Sequence, residues 1–130
     1  MAIEFEMQVV LPTAPEAIYA AWLDSQQHAA MTGGKAEVSD KVGEGFTAWD
    51  GYIRGTNLEL EPPRRIVQTW RTLEFSDAEA DSRLEIELVK AMGGTQFTLR
   101  HSGLPEHGEQ YRQGWMDNYF EPMRDYFEAS

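Results

Sequence analysis

The chain has 130 residues, no cysteine, 42% hydrophobic and 12% aromatic residues, and a net charge of −11 from 11 basic and 22 acidic side chains. Disulfide frameworks and thiolate metal sites are therefore excluded, and size and apolar content fit one folded domain over residues 1–130. So acidic a surface repels phosphate backbones and anionic lipid, no basic-then-apolar leader opens the sequence, and no apolar run approaches ~20 residues; we expect no nucleic acid partner, no membrane insertion and a cytoplasmic location.

The first segment, IEFEMQVVLP, sets Ile3, Phe5, Met7 and Val9 against Glu4, Glu6 and Gln8. Period two predicts a strand with one wet face. In TAPEAIYAAWLD, Thr13 followed by Glu16 has the spacing of a capping box, with Pro15 in the first turn. Ile18, Ala21 and Trp22 share a face, which predicts a short helix. Asp24 and Gln27 repeat the cap pattern and predict a second one through Met31, ended by Thr32-Gly33-Gly34. From Lys35 the pattern turns to β. KAEVSD, GFTAWD and GYIRGTNLELE are strand candidates, with Asp50-Gly51 as a hairpin turn. Pro62-Pro63 marks the next turn, and RIVQTWRTLEF reads as a long strand. SDAEADS is an exposed acidic loop. RLEIELVK and TQFTLRHS alternate around a Gly93-Gly94 turn.

The last segment begins near Pro105, a residue well tolerated in a first helical turn. At ~100° per residue, Tyr111, Trp115, Tyr119, Met123, Tyr126 and Phe127, joined by Met116 and Phe120, cover about half the circumference. Pro122 has no N–H for the carbonyl of Asn118, so a bend is expected there. Gly114 weakens a helix by ~1 kcal/mol against alanine, which suggests close approach of its backbone to a neighbour. Strands joined by tight turns pair antiparallel, and a sheet with one dry face needs a cover. Only the terminal helix is long and apolar enough to supply it.

Four short motifs, in this order, resemble one family. They are the G-x-x-x-E-L-x-P end of the strand from Gly55, Ile66-Val67 with Trp70-Arg71, the Gly93-Gly94-Thr95 turn, and Gly114-Trp115 with Tyr119-Phe120. Together they span most of the chain, and they are similar to the domain found in activators of the heat-shock protein 90 ATPase, within the SRPBCC superfamily of START and birch-pollen-allergen-like folds. The resemblance implies an α+β helix-grip fold. A curved antiparallel sheet of six or seven strands would wrap round the long C-terminal helix, with two short helices after the first strand. It also implies a cavity between sheet and helix that holds small apolar molecules, and, from the family name, a chaperone partner in the stress response.

Strand parity nominates residues for such a cavity. With Leu58 and Leu60 inward, Arg54 and Thr56 share the dry face, with Tyr52 behind them. Trp70 inward brings Gln68, and Phe97 and Leu99 inward bring His101. Trp115, Tyr119 and Met123 would face them from the helix. Tyr52, Arg54, Gln68, Trp70, Phe97, His101, Trp115, Tyr119 and Met123 are thus the expected lining, a mostly apolar surface with a few polar groups.

His101 is the member that titrates near neutrality, but no carboxylate or nucleophile stands at a recognisable spacing, so no catalytic residue is assigned. His101 and His107 lack a third partner, His28 being distant, and the loop opening at Asp77 has Ser82 and Leu88 where a calcium loop needs glycine and glutamate. No metal is expected. The nucleotide-binding glycine patterns are missing too, so no cofactor is expected. The resulting reading is a binder of a small apolar or lipid-like molecule. The alternatives are a chaperone-linked module and, third, an enzyme of the cyclase or hydratase kind.

Overall fold

In the computed structural model, which describes residues 2–129, six antiparallel strands form one sheet in the order β1-β6-β5-β4-β3-β2. The strands are β1 (Ile3–Leu11), β2 (Gly45–Ala48), β3 (Ile53–Glu61), β4 (Arg65–Thr72), β5 (Ser82–Ala91) and β6 (Gly94–Leu104). Two short helices, α1 (Pro15–Trp22) and α2 (Ser25–Thr32), follow β1. The C-terminal rod comprises a 3-10 turn (Glu106–Glu109), α3 (Gln110–Trp115), a π turn (Met116–Phe120) and α4 (Glu121–Ala129). The sheet curves round this rod, so the α+β helix-grip architecture is the one observed.

Alternation decides the sheet. Phe5 and Val9 on β1, Leu84, Ile86 and Leu88 on β5, and Phe97 and Leu99 on β6 are buried on one face. The opposite face carries ion pairs of Arg65 with Glu59, Glu61 and Glu85, and of Arg100 with Glu6 and Glu87. Ile18, Ala21 and Trp22 of α1 close one end of the core.

Four details differ from expectation. The capping box at Thr13 does not form: α1 starts one residue later, with Ala14 as N-cap and no side-chain cap, while Pro15 occupies the first turn. KAEVSD is not a strand and joins the sheet only through a bridge from Glu37 to Thr47. Ser25 Oγ explains this, because it accepts from the Val38 amide at 2.9 Å and donates to the Val38 carbonyl at 3.2 Å, tying that segment to α2. By contrast, the Asp24 cap is real, its carboxylate accepting from Gln27 N at 2.9 Å. The strand from Arg65 stops at Thr72, since Leu73 is turned out to solvent.

The fourth is the rod. Instead of a bend at Pro122, the turn before it widens. The Glu121 amide donates to the Met116 carbonyl, five residues back. A π turn inserts one extra residue and rotates everything after it by about 100° relative to an α-helix. Tyr111 and Trp115 before it, Tyr119 and Phe120 within it, and Met123 and Phe127 after it all reach the core, whereas Met116 is exposed and Tyr126 half-buried.

A glycine allows a close approach in the sheet. A Cβ on Gly55 would lie 1.9 Å from the Thr69 carbonyl oxygen and 2.7 Å from the Phe46 ring. Gly114 is the opposite, and the expected close approach is not there: an added Cβ would meet nothing nearer than the Asn118 amide at 3.9 Å. Gly55→Ala should therefore destabilise the fold by about 3 kcal/mol through overpacking, and Gly114→Ala should stabilise it by about 0.5–1 kcal/mol through helix propensity. Urea unfolding of the two variants checks both signs.

Candidate functional site

Two polar chains run through the interior and fix the rod to the sheet. In the first, the Trp115 indole N–H donates to His101 Nδ1 at 3.1 Å, His101 Nε2 lies 2.8 Å from Ser82 Oγ, and Ser82 Oγ donates to the Trp70 carbonyl at 2.7 Å. An indole only donates, so His101 Nδ1 is the acceptor and the ring proton sits on Nε2. Burial alone pushes the His101 pKa down to about 3. The ring is neutral, fully enclosed and bonded at both nitrogens, so it has no lone pair to offer as a base.

In the second, His28 Nδ1 lies 2.9 Å from the Trp22 carbonyl and Nε2 lies 3.1 Å from the Tyr119 hydroxyl. A carbonyl only accepts, so Nδ1 carries the proton and Tyr119 donates to Nε2. Desolvation by burial lowers the His28 pKa, and burial raises the Tyr119 phenol. Trp22 Nε1 in turn donates to Gln68 Oε1 at 3.3 Å, Gln68 Nε2 to Asn57 Oδ1 at 2.8 Å, and Asn57 Nδ2 to the carbonyls of Ser39 and Lys41 at 2.8 and 3.0 Å.

What these chains leave open is a pocket of about 280 Å³ where the rod passes the β2–β3 turn. It is lined by Trp49, Tyr52, Ile53, Trp70, Tyr111, Gly114, Trp115, Asn118 and Tyr119. Six of these nine are aromatic. Their rings are mutually tilted, with Trp70 to Tyr111 at 4.9 Å and 78°, Trp115 to Tyr119 at 4.7 Å and 46°, and Trp70 to Trp115 at 5.8 Å and 37°. Asn118 is exposed and marks the mouth. Two of the lining phenols are hydrogen-bonded: Tyr111 and Thr72 share a bond at 2.7 Å, and Tyr52 donates to the exposed Glu74 carboxylate.

Trp49 is placed at this pocket by an unusual backbone. Its φ is +52°, a left-handed conformation that a bulky residue adopts only when its surroundings hold it there. Gly34 leaves room for the ring, since a Cβ there would lie 2.6 Å from it. The Trp49 indole N–H is buried without a hydrogen bond, a conflict worth about 1–3 kcal/mol. It faces the Tyr119 oxygen and opposes part of that phenol's upward shift, without the geometry of a hydrogen bond.

The nine residues expected at the cavity divide three ways. Tyr52, Trp70, Trp115 and Tyr119 line the pocket. Gln68, Phe97, His101 and Met123 point inward as expected but lie among the buried residues behind it. Arg54 is on the opposite face of the sheet, exposed and paired in register with Arg71. The cause is a bulge between Asn57 and Glu59, which turns Leu58 outward. Leu58 and Leu60 therefore do not share a face, and the parity counted back from them is reversed. Arg54 instead borders a broad, shallow outer groove of about 500 Å³ with Glu37, Phe46, Thr47 and Thr56. Trp49, Ile53, Tyr111, Gly114 and Asn118 complete the lining and were not among the nine expected residues. Tyr111 and Gly114 were visible as part of the helix pattern, whereas nothing local marks Trp49 or Asn118. Among the described residues no cluster of three metal-ligating side chains occurs, and no helix is long and apolar enough to cross a membrane.

The neutral histidines give the fold a pH signature. Their folded pKa values lie below the ordinary value of about 6.5, so the unfolded chain binds the extra protons. The stabilisation is complete above about pH 6.5 and is lost as pH falls towards about 3. His101 contributes a slope of up to about 1.4 kcal/mol per pH unit between pH 6.5 and 5, and His28 adds a slope of the same sign. His101→Gln, which keeps an acceptor but does not titrate, should remove the His101 share and lower the slope by up to about 1.4 kcal/mol per pH unit in urea unfolding; an unchanged slope would mean His101 is charged in the fold.

The family model described as Activator of Hsp90 ATPase homolog 1-like protein matches residues 12–128. Among curated proteins, the chain is 27% identical over 116 residues to the human activator of 90 kDa heat shock protein ATPase homolog 1, covering 88% of this chain and 34% of that protein. It is 26% identical over 119 residues to the Dictyostelium discoideum homolog, covering 90% and 31%. The chain thus spans about a third of the length of these relatives. Among solved structures, an HSP90 activator from Plasmodium falciparum superposes with a TM-score of 0.82 at 24% identity, covering 96% of this chain and 94% of that one. A protein from Mesorhizobium loti superposes at 0.84 with 19% identity and 98% coverage of both chains. Both likenesses speak to the fold. With nine-tenths of its length inside the family model, the chain belongs to the activator of Hsp90 ATPase homolog 1-like family.

Proposed function

We propose that this protein binds a small, largely apolar molecule in the aromatic pocket between the β2–β3 turn and the C-terminal rod. The observation that supports this most directly is the lining: six aromatic side chains and a glycine round a space of about 280 Å³, with hydrogen-bonded phenols and an open mouth. Drug-sized ligands occupy roughly 300–1,000 Å³, so the occupant is small, of one or two rings. The walls are built by secondary structure and by a turn held in place, so the pocket is preformed and binding costs little ordering. Neither histidine behind the wall offers a free base, since both rings are bonded at both nitrogens.

A titration of one- and two-ring neutral compounds, followed by tryptophan fluorescence and amide NMR, tests this. Three of the four tryptophans border the pocket, so saturable quenching is expected, with shifts at Trp49, Tyr111 and Asn118. Gly114→Phe should fill the space and abolish binding while leaving the circular dichroism unchanged. Binding that survives this variant places the ligand elsewhere, and the proposal is then wrong.

A second reading follows from the family. The curated relatives are named as activators of a 90 kDa heat-shock protein ATPase, and the match of this chain covers about a third of their length. On this reading the domain contacts the chaperone through its surface, and the pocket is incidental. Stimulation of heat-shock protein 90 ATP turnover by the purified chain, undiminished in Gly114→Phe, is the result it requires.

A further inference from the structure

We propose that the pocket selects organic cations: a molecule with an ammonium group, primary to quaternary, on a small aromatic or aliphatic body. This rests on the reading of the pocket as a ligand site and adds the sign of the ligand's charge. The walls are the first reason. Trp49, Tyr52, Trp70, Tyr111, Trp115 and Tyr119 present ring surfaces, and no lysine, arginine or histidine is among the lining residues. Aromatic faces carry negative partial charge, and a box of tryptophan and tyrosine attracts a cation more strongly as water is excluded.

The rim supplies the second reason. Glu74 accepts the Tyr52 hydroxyl at the edge of the pocket. The Tyr52 and Tyr111 phenols are held protonated, by burial first; Glu74 adds to this as a hydrogen-bond partner of Tyr52 and as a nearby charge on Tyr111, and Glu79 adds to it as a charge on Tyr111. The phenols therefore stay neutral, and Glu74 is the anion at the opening. The nearest guanidinium on β4, that of Arg71, is engaged with Asp81 at 2.7 Å and with the carbonyls of Glu79 and Ser76 at 3.2 and 3.0 Å. It cannot also receive a ligand carboxylate without giving up those bonds. A carboxylate in the pocket would lose its water, face ring surfaces of the wrong sign and sit beside Glu74. An ammonium in the same place gains from both. The protein's charge of −11 acts in the same direction at longer range.

The test compares three probes of one shape by calorimetry: phenethyltrimethylammonium, its neutral carbon isostere 3,3-dimethylbutylbenzene, and the anion 4-phenylbutyrate. The wild-type chain should bind the cation about tenfold more tightly than the neutral isostere, and the anion most weakly. Glu74→Gln, which can still accept the Tyr52 hydroxyl, should reduce the cation's advantage several-fold and leave the neutral compound unchanged. Equal affinity for cation and neutral isostere, or tighter binding of the anion, overturns the charge preference while the pocket stands as a site. Failure of all three probes to bind overturns the pocket reading and this inference with it.

Discussion

The rod sits on the sheet where it does because one indole N–H, that of Trp115, donates to one neutral histidine, His101. Both groups are buried, and each would be costly without the other. The bond fixes the tautomer of His101, and the tautomer commits its second nitrogen to Ser82 and, through Ser82, to the backbone of β4 at Trp70. Tyr119, one helical turn beyond Trp115, repeats the arrangement with His28 and the end of α1. The rod is therefore held at two points by directional bonds, and the aromatic packing between them is constrained in rotation as well as in depth.

The π turn follows from the same constraint. Trp115 and Tyr119 must face their histidines, while Met123 and Phe127 must face the core beyond, where α4 meets α2 and β1. A regular helix drifts about 40° over every four residues, so the apolar positions wander off the contact line across the full rod. One extra residue between Met116 and Phe120 resets the phase. It also precedes Pro122, a position that has no N–H to give to a regular turn. The widened turn carries Asn118 and Tyr119 to the mouth and back of the pocket, with Gly114 leaving the side between them bare. Pocket and clamp are thus two results of one arrangement: groups that must be bonded are paired behind the wall, and the residues on its near side are left lining open space.

Much of this was legible in the sequence because period two and period 3.6 carry it. The alternation in β1, β5 and β6 names the buried residues directly, and the breadth of the apolar face on the rod requires a curved cover. Inward placement of Gln68, Trp70 and His101 also follows from parity alone. Where the reading failed, a local insertion broke the count. The bulge after Asn57 reverses the parity of β3 and puts Arg54 outside, and the π turn shifts the phase that made Met116 look apolar-facing. Neither leaves a mark in residue types. Trp49 is hidden for another reason: it reaches the pocket through a positive φ and a gap made by Gly34, fifteen residues earlier, which is a tertiary condition.

The claim on which the account turns is that both clamping histidines are neutral and of opposite tautomers. Long-range proton–nitrogen correlation spectra of imidazole-labelled protein at pH 6 read this directly. The account predicts the proton of His101 on Nε2 and that of His28 on Nδ1, with the His101 ring not titrating down to pH 5 and the His28 ring titrating below the ordinary value. A charged ring at pH 6, or the reverse tautomer at either histidine, would contradict it, because Trp115 or Tyr119 would then have no acceptor and the rod no fixed place on the sheet.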